Sequence, residues 1–228
     1  MTREAAIGTV APRASIVALC RRLWRLRRFR KPRPLETSSL KHPPVPKTEP
    51  EKRILAVIDG IARAGIAWFS VPVVDGRMLR LLTETAGARN VVEIGTSIGY
   101  SSLWLCLALQ ATGGRLTTFE ADLDRVSLAR EHFQKAGVDH IVTVIEGDAR
   151  GAVARLKDPI DVLFLDAEKE DYTNYLENLL PLVRPGGMIL AHNVRLVPAY
   201  VRAVSTNPDL ETAFYMEGAG LGITLKKR

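Results

Sequence analysis

Short apolar runs recur along the second half of the chain, each cut off by a polar residue and followed by helically spaced apolar positions. The first run enters Glu93, and the pattern predicts further strands over residues 115–120, 141–145, 160–166 and 188–191. Helices are expected between them over 100–110, 123–136, 149–156 and 172–183. Strands without polar alternation are buried on both faces, and the helical crossovers joining them are right-handed. The expected class is therefore α/β, with helices on both sides of a parallel sheet. The end of the chain differs. Residues 211–216 and 221–225 flank Glu217-Gly218-Ala219-Gly220, a hairpin signal that predicts an antiparallel edge. Before the first strand, helices are expected over 51–64 and 77–86, with Asp75 as N-cap and Gly87 as stop of the second.

The first strand hands over to its helix through Val91-Val92-Glu93-Ile94-Gly95-Thr96-Ser97-Ile98-Gly99-Tyr100. Glycines here permit a tight turn and a close backbone approach, and helix N-terminal N–H groups face the same space. A nucleotide-like ligand suits such a place. The spacing is not the full G-x-G-x-x-G dinucleotide fingerprint, and a tight turn without a ligand has the same local pattern.

In open α/β sheets ligands bind at the carboxyl ends of the strands. Those ends read Glu93-Ile94-Gly95, Glu120-Ala121-Asp122, Glu146-Gly147-Asp148-Ala149, Asp166-Ala167-Glu168-Lys169 and His192-Asn193. A carboxylate ending the second strand can accept two hydrogen bonds from vicinal ribose hydroxyls. One acidic strand end reads as a helix cap; a polar group at all five points to a ligand edge.

The net charge of +7 is unevenly spread. Residues 1–53 hold 14 Lys+Arg against 4 Asp+Glu, and residues 54–228 hold 18 against 21, giving +10 and −3. Within 15–31, Ile16, Val17, Leu19, Cys20, Leu23, Trp24 and Leu26 share one helical face, opposite Arg21, Arg22, Arg25 and Arg28. Such a basic amphipathic helix suits an anionic membrane surface, and equally a packed helix or a solvated arm. Residues 32–50 carry six of the 13 prolines and read as a linker. The expected organisation is a basic extension at 1–31, a linker at 32–50 and one domain at 51–228. No run of about 18 apolar residues predicts a membrane span. Cys20 and Cys106 have no metal or redox spacing and suit a reducing compartment, so a cytoplasmic protein with peripheral membrane contact is expected.

Five stretches, VVEIGTSIGYSSL, TTFEADLDRVSLAREHF, VIEGDA, DVLFLDAEKEDYTNYL and LVRPGGMILAHNV, carry a resemblance. In this order and spacing, from about Ser70 to Arg228, the chain resembles the cation-dependent class I S-adenosylmethionine O-methyltransferases of the catechol and caffeoyl-CoA group. The resemblance implies a doubly wound, mostly parallel seven-stranded Rossmann-like sheet with a terminal antiparallel hairpin. It implies methyl transfer from S-adenosylmethionine to a hydroxyl of a small catechol-like or other phenolic acceptor, and a homodimer. It assigns the cofactor to Glu93, Gly95, Thr96, Ser97, Gly99, Ser101, Glu120, Asp148, Ala149 and Asp166, with Glu120 on the ribose and Asp148 and Ala149 near the adenine. Lys169 is the implied base on the acceptor hydroxyl, and Asp166 the first metal ligand.

The family's Asp-Asn ligand pair after the fifth strand is His192-Asn193 here. If Asp166, His192 and Asn193 hold a metal, imidazole moves the preference from Mg²⁺ toward Mn²⁺, Fe²⁺, Co²⁺ or Zn²⁺, and one negative charge is lost. His192 is alternatively a metal-free catalytic base beside Lys169, or a residue that caps a loop. Two other function classes remain. A nucleic-acid methyltransferase would suit the basic tail, but its basic residues lie away from the pocket and Asp166-Ala167-Glu168-Lys169 does not resemble an Asn/Asp-Pro-Pro-aromatic motif. A cofactor-binding protein of the same fold without turnover would suit the altered metal pair.

Overall fold

The computed structural model describes residues 43–64 and 71–228. The expected amphipathic helix at 15–31 and Cys20 lie outside the described residues. The helices are α1 (Glu49–Arg63), α2 (Val73–Thr85), α3 (Tyr100–Thr112), α4 (Leu123–Ala136), α5 (Ala149–Ala152), α6 (Tyr172–Leu179) and α7 (Pro198–Thr206). The strands are β1 (Asn90–Ile94), β2 (Arg115–Glu120), β3 (Val142–Glu146), β4 (Ile160–Leu165), β5 (Val183–His192), β6 (Leu210–Tyr215) and β7 (Leu221–Lys226). They form one sheet of seven strands in the order β3-β2-β1-β4-β5-β7-β6. Strands β1 to β5 are parallel, and β7 runs antiparallel to both β5 and β6. The order reverses between β1 and β4, and the crevice at such a switch point is where this architecture places ligands.

Successive strand residues face opposite sides of the sheet and so divide the core. Val91, Leu116, Val162 and Leu190 pack with Ile54, Leu79, Trp104 and Phe133. Val92, Ile94, Leu163 and Ile189 pack with Tyr172, Leu176, Tyr200 and Val204 on the other side. Helix α3 is buried from Tyr100 to Leu109 on every side, because α1, α2 and α4 leave it no solvent face.

Several boundaries differ from the sequence reading. Helix α1 begins at Glu49, with Thr48 Oγ1 accepting from Glu51 N–H at 3.3 Å and Pro50 in the first turn. The linker therefore ends before Pro50, whose missing N–H costs nothing in a first turn. Helix α5 is a single turn continued by a 3₁₀ turn, and α6 stops at Leu179. Strand β5 starts at Val183 rather than 188, because Arg184–Gly187 bulges out between the pairs Val183–Ile160 and Met188–Val162. The largest change is in α2. It starts at Val73 after Pro72, and Asp75 is not its cap but is buried with no exposure.

Beneath the β1–α3 turn lies a buried carboxyl group. Glu93 accepts from Ser101 Oγ at 2.6 Å, Ser102 Oγ at 2.5 Å and Thr118 Oγ1 at 2.7 Å, tying β1 to α3 and β2. Burial pushes its pKa up to about 7, and the three hydroxyls only partly offset that. Between pH 4.5 and about 7 the unfolded chain ionises at this residue while the folded chain holds its proton, so stability falls as pH rises through that window. Glu93→Gln removes the titration. Urea unfolding at pH 4 and pH 8 should show the wild type losing on the order of 3 kcal/mol relative to the variant. Parallel stability curves would exclude a proton on buried Glu93.

Candidate functional site

A cleft of about 670 Å³ opens at the carboxyl edge of the sheet over the β1/β4 switch point. One half is built on the β1–α3 turn and the end of β2. Gly95 has φ +102°, and a Cβ there would stand 2.3 Å from the Asp166 carbonyl oxygen, so only glycine fits between β1 and β4. Ser97 takes φ +47°, an uncommon conformation for a side-chain-bearing residue. That bend brings Ser97 N–H to Glu120 Oε2 at 2.7 Å. Ala121 and Asp122 N–H donate to Glu120 Oε1, each at 3.0 Å. Three backbone donors thus hold the Glu120 carboxylate at the cleft, and each oxygen keeps acceptor capacity for a ligand.

Further along this half, Asp148 caps α5 through Arg150 N–H and sits in the fork of the Arg150 guanidinium. Arg150 holds the Asp148 carboxyl below the usual carboxylate range. Asp148, Ala149, Arg150 and Tyr175 all line the cleft. Burial first, and the carboxylates of Asp171 and Asp148 next, push the Tyr175 phenol up to about 12.

The other half gathers Asp166, Lys169, His192 and Asn193 from the ends of β4 and β5. Lys169 Nζ donates to Asp166 Oδ1 at 2.9 Å and to the Tyr172 hydroxyl at 3.0 Å. Tyr172, fully buried, shares its one proton between the carbonyls of Leu165 at 3.1 Å and His192 at 3.0 Å. The phenol thereby ties the ends of β4 and β5 together and seats Lys169 above them.

His192 lies between two carboxylates. Its Nε2 is 3.0 Å from Asp75 Oδ2, and its Nδ1 is 3.1 Å from Asp166 Oδ2. Asp75 Oδ2 also accepts from Ala219 N–H at 3.0 Å, which places the proton of the first contact on Nε2. The second contact lacks hydrogen-bond alignment, and Nδ1 has no hydrogen-bond partner among the described residues. Burial pushes the His192 pKa down, but Asp166 and then Asp75 outweigh it, and the net direction is up. Burial pushes Asp166 up, and His192 and Lys169 together bring it below the usual carboxylate range. A neutral Nδ1 lone pair facing Asp166 Oδ2 would be repelled by it, and a proton on the imidazole, favoured by the two flanking carboxylates, relieves that contact.

Nine of the residues named from the sequence meet at this cleft: Gly95, Ser97, Glu120, Asp148, Ala149, Asp166, Lys169, His192 and Asn193. Four stand behind its wall. Glu93 has no exposure and is occupied by hydroxyls; Ser101 is one of them. Thr96 is buried against Thr118 Oγ1 at 2.5 Å. A Cβ on Gly99 would meet the Phe133 ring at 2.7 Å, so it packs on α4. These four shape the turn from behind the cleft wall. Sequence reasoning missed Asp75, Arg150 and Tyr175. An acid in the first turn of a helix reads as a cap, and nothing local to Asp75 announces a partner 117 residues away.

Comparison with known proteins places these observations in context. Residues 51–212 match the profile of a family described as O-methyltransferase. A catechol O-methyltransferase of Niastella koreensis is 35% identical over 164 residues, covering 70% of this chain and 74% of that protein. Alignments with two relatives from Arabidopsis thaliana span 54% of each chain. Among solved structures, the O-methyltransferase from Bacillus cereus in complex with SAH superposes with a TM-score of 0.69 at 27% identity. It covers 80% of this chain and 93% of that one. The O-methyltransferase TomG from Streptomyces achromogenes, in complex with SAM, gives 0.69 at 26% identity, covering 84% and 94%.

The Tyr172 bridge has a measurable weight. Tyr172→Phe leaves two buried carbonyls and the Lys169 ammonium without that partner, and should lower unfolding stability by about 1–3 kcal/mol in denaturant titration. An unchanged midpoint would show that the two strand ends hold together without it.

Proposed function

The chain belongs to the O-methyltransferase family, a group dependent on S-adenosylmethionine, and we propose that it methylates one hydroxyl of a small catechol-like phenol. The observation that carries this reading is the meeting of two sets of groups in one cleft. Glu120, held by three backbone N–H donors, faces the space beside Gly95. Lys169, Asp166, His192 and Asn193 stand along the same wall.

In the proposed complex the Glu120 carboxylate accepts the ribose hydroxyls, and the close approach permitted at Gly95 lets the methionine part of the cofactor lie along the turn. The acceptor hydroxyl lies next to Lys169 Nζ, which as the neutral amine takes its proton, becoming the ammonium, and leaves a phenolate in line with the sulfonium methyl group. The methyl passes to oxygen, and the carbon–sulfur electron pair stays on the departing, now neutral, sulfur. The donor is already activated, so alignment and stabilisation of the oxyanion account for most of the rate. Asp166, His192 and Asn193 are the residues that would hold a divalent cation, but a His192 protonated between Asp75 and Asp166 offers it no lone pair, so the set as it stands does not fit one. Asp166 also orients Lys169 through their 2.9 Å contact.

The remaining parts of the proposal concern residues outside the cleft. No helix among the described residues is long and apolar enough to cross a membrane. Contact with anionic lipid is assigned to residues 15–31, the domain to 48–228, extended from 51 by the Thr48 cap of α1, and the assembly to a homodimer.

Three expected outcomes test this function. Glu120→Ala should weaken binding of S-adenosylhomocysteine by about 1–3 kcal/mol in calorimetry, through loss of charge-assisted hydrogen bonds; equal affinity would remove Glu120 from the ribose. Lys169→Met should keep that affinity yet lower turnover on catechol by roughly 10²–10⁴-fold, whereas wild-type turnover would give the proton to another group. Deleting residues 1–47 spares the Thr48 cap of α1. The shortened protein should bind cofactor normally and lose sedimentation with phosphatidylserine vesicles, and failure to fold would extend the domain upstream.

A further inference from the structure

Asp75 is wholly buried in the first turn of α2. Its Oδ2 is 3.0 Å from His192 Nε2 and accepts from Ala219 N–H at 3.0 Å, and its Oδ1 has no hydrogen-bond partner among the described residues. A Cβ on Gly218 would run into Asp75 Oδ1, so the β6–β7 loop closes directly over the carboxylate. A carboxylate so enclosed is disfavoured unless positive charge lies against it, and the His192 imidazole is placed to supply that charge. The far side of the ring meets a second carboxylate, with Nδ1 3.1 Å from Asp166 Oδ2. The other Asp166 oxygen accepts from Lys169 Nζ at 2.9 Å. Asp75, His192, Asp166 and Lys169 therefore stand in one row of alternating charge, with His192 as the imidazolium and Lys169 as the ammonium. Such a row leaves little for a divalent cation. A metal needs an imidazole nitrogen without a proton, and here it would compete with both that proton and the Lys169 ammonium for Asp166. Among the described residues, no group of three or more His, Cys, Asp or Glu side chains is arranged to hold a metal ion.

We infer that the Asp75–His192–Asp166 row stands in this cleft in place of a divalent cation, with Asp75 and His192 as positioning residues that keep a fixed positive charge beside the acceptor. The charges explain why one is needed. A phenolate forming beside Asp166 would be repelled by that carboxylate, and Lys169 enters the reaction as the neutral amine. The imidazolium is then the positive charge that remains next to Asp166 and offsets it. Fixed by buried partners, it needs no reorganisation as the oxyanion develops. Both of its nitrogens face carboxylates, so it holds Asp166, and through Asp166 Lys169, without touching the acceptor or taking its proton. The residue pair at the end of β5 thus changes how the site is charged, not which metal it selects. The inference rests on the methyl-transfer reading only where turnover is measured.

The test uses the full-length chain, stripped of metal and saturated with S-adenosylhomocysteine. In ¹⁵N-histidine NMR spectra at neutral pH, both ring nitrogens of His192, assigned with His192→Gln, should have the shift of N–H nitrogens. They should keep it when Mg²⁺ is added to millimolar concentration, and calorimetry should detect no binding of Mg²⁺ or Mn²⁺ up to that concentration. Turnover on catechol should be the same in excess EDTA as in Mg²⁺. Asp75→Asn should lose one of the two His192 ring protons and lower kcat by roughly tenfold or more, with S-adenosylhomocysteine affinity unchanged. Should that variant fail to fold, the wild-type spectra and titrations decide alone. An unprotonated His192 nitrogen in the wild type, or submillimolar Mn²⁺ binding, would overturn the inference. So would turnover abolished by EDTA and restored by Mg²⁺, or an Asp75→Asn variant whose imidazole keeps both protons. A wild type with a doubly protonated His192 and no cation binding that methylates no phenol would overturn the proposed function and leave this inference standing.

Discussion

The backbone at Gly95 is clamped on both sides, and the rest of the site depends on that clamp. Gly95 N–H and Thr96 N–H both donate to the Phe119 carbonyl of β2, and Asp166 N–H donates to the Ile94 carbonyl of β1. No side chain fits on the face toward Asp166. With the turn caught between β2 and β4, Ser97 is driven into its positive-φ conformation and its N–H meets Glu120. Asp166 leaves β4 at the same point, with its carboxylate toward His192. The two halves of the cleft are therefore fixed by one set of main-chain bonds.

Acidic side chains near this turn are handled in two opposite ways. Glu93 is surrounded by neutral hydroxyls, which satisfy its oxygens without balancing a charge, and burial drives its pKa up. Asp166 is nearly as enclosed but stands between an imidazole and an ammonium, and its pKa goes down. The difference is the sign of the neighbours, not the depth of burial. One acid braces the fold and holds its proton up to about pH 7, and the other keeps its negative charge between His192 and Lys169.

The wall around His192 is assembled from distant pieces of chain. Asp75 comes from the first turn of α2, His192 from the end of β5, and Ala219 from the loop between the two antiparallel strands. Because β7 pairs with β5, His192 opposite Leu221, the hairpin delivers its loop to the same edge where the parallel strands end. The antiparallel ending is thus part of the site as well as a closure of the sheet.

The alternation of apolar strands and amphipathic helices, and the polar residue ending each strand, were legible in the chain itself. They place Glu120, Asp166, Lys169, His192 and Asn193 on one edge, because a parallel sheet with right-handed crossovers carries all its carboxyl ends the same way. Ends of elements were less legible where a proline or a bulge changes local hydrogen bonding, as at Pro50 and Arg184–Gly187. Tertiary structure alone decided which polar residues face the cleft. Glu93 and Glu120 both lie at strand ends in the same kind of local sequence, yet one points beneath the turn toward Ser101 and Ser102 and the other into the opening. It alone decided that Asp75 is a partner of His192 and not a helix cap. Local patterns report the periodicity of one element, whereas a contact spanning 117 residues arises only when packing brings α2, β5 and the hairpin loop together.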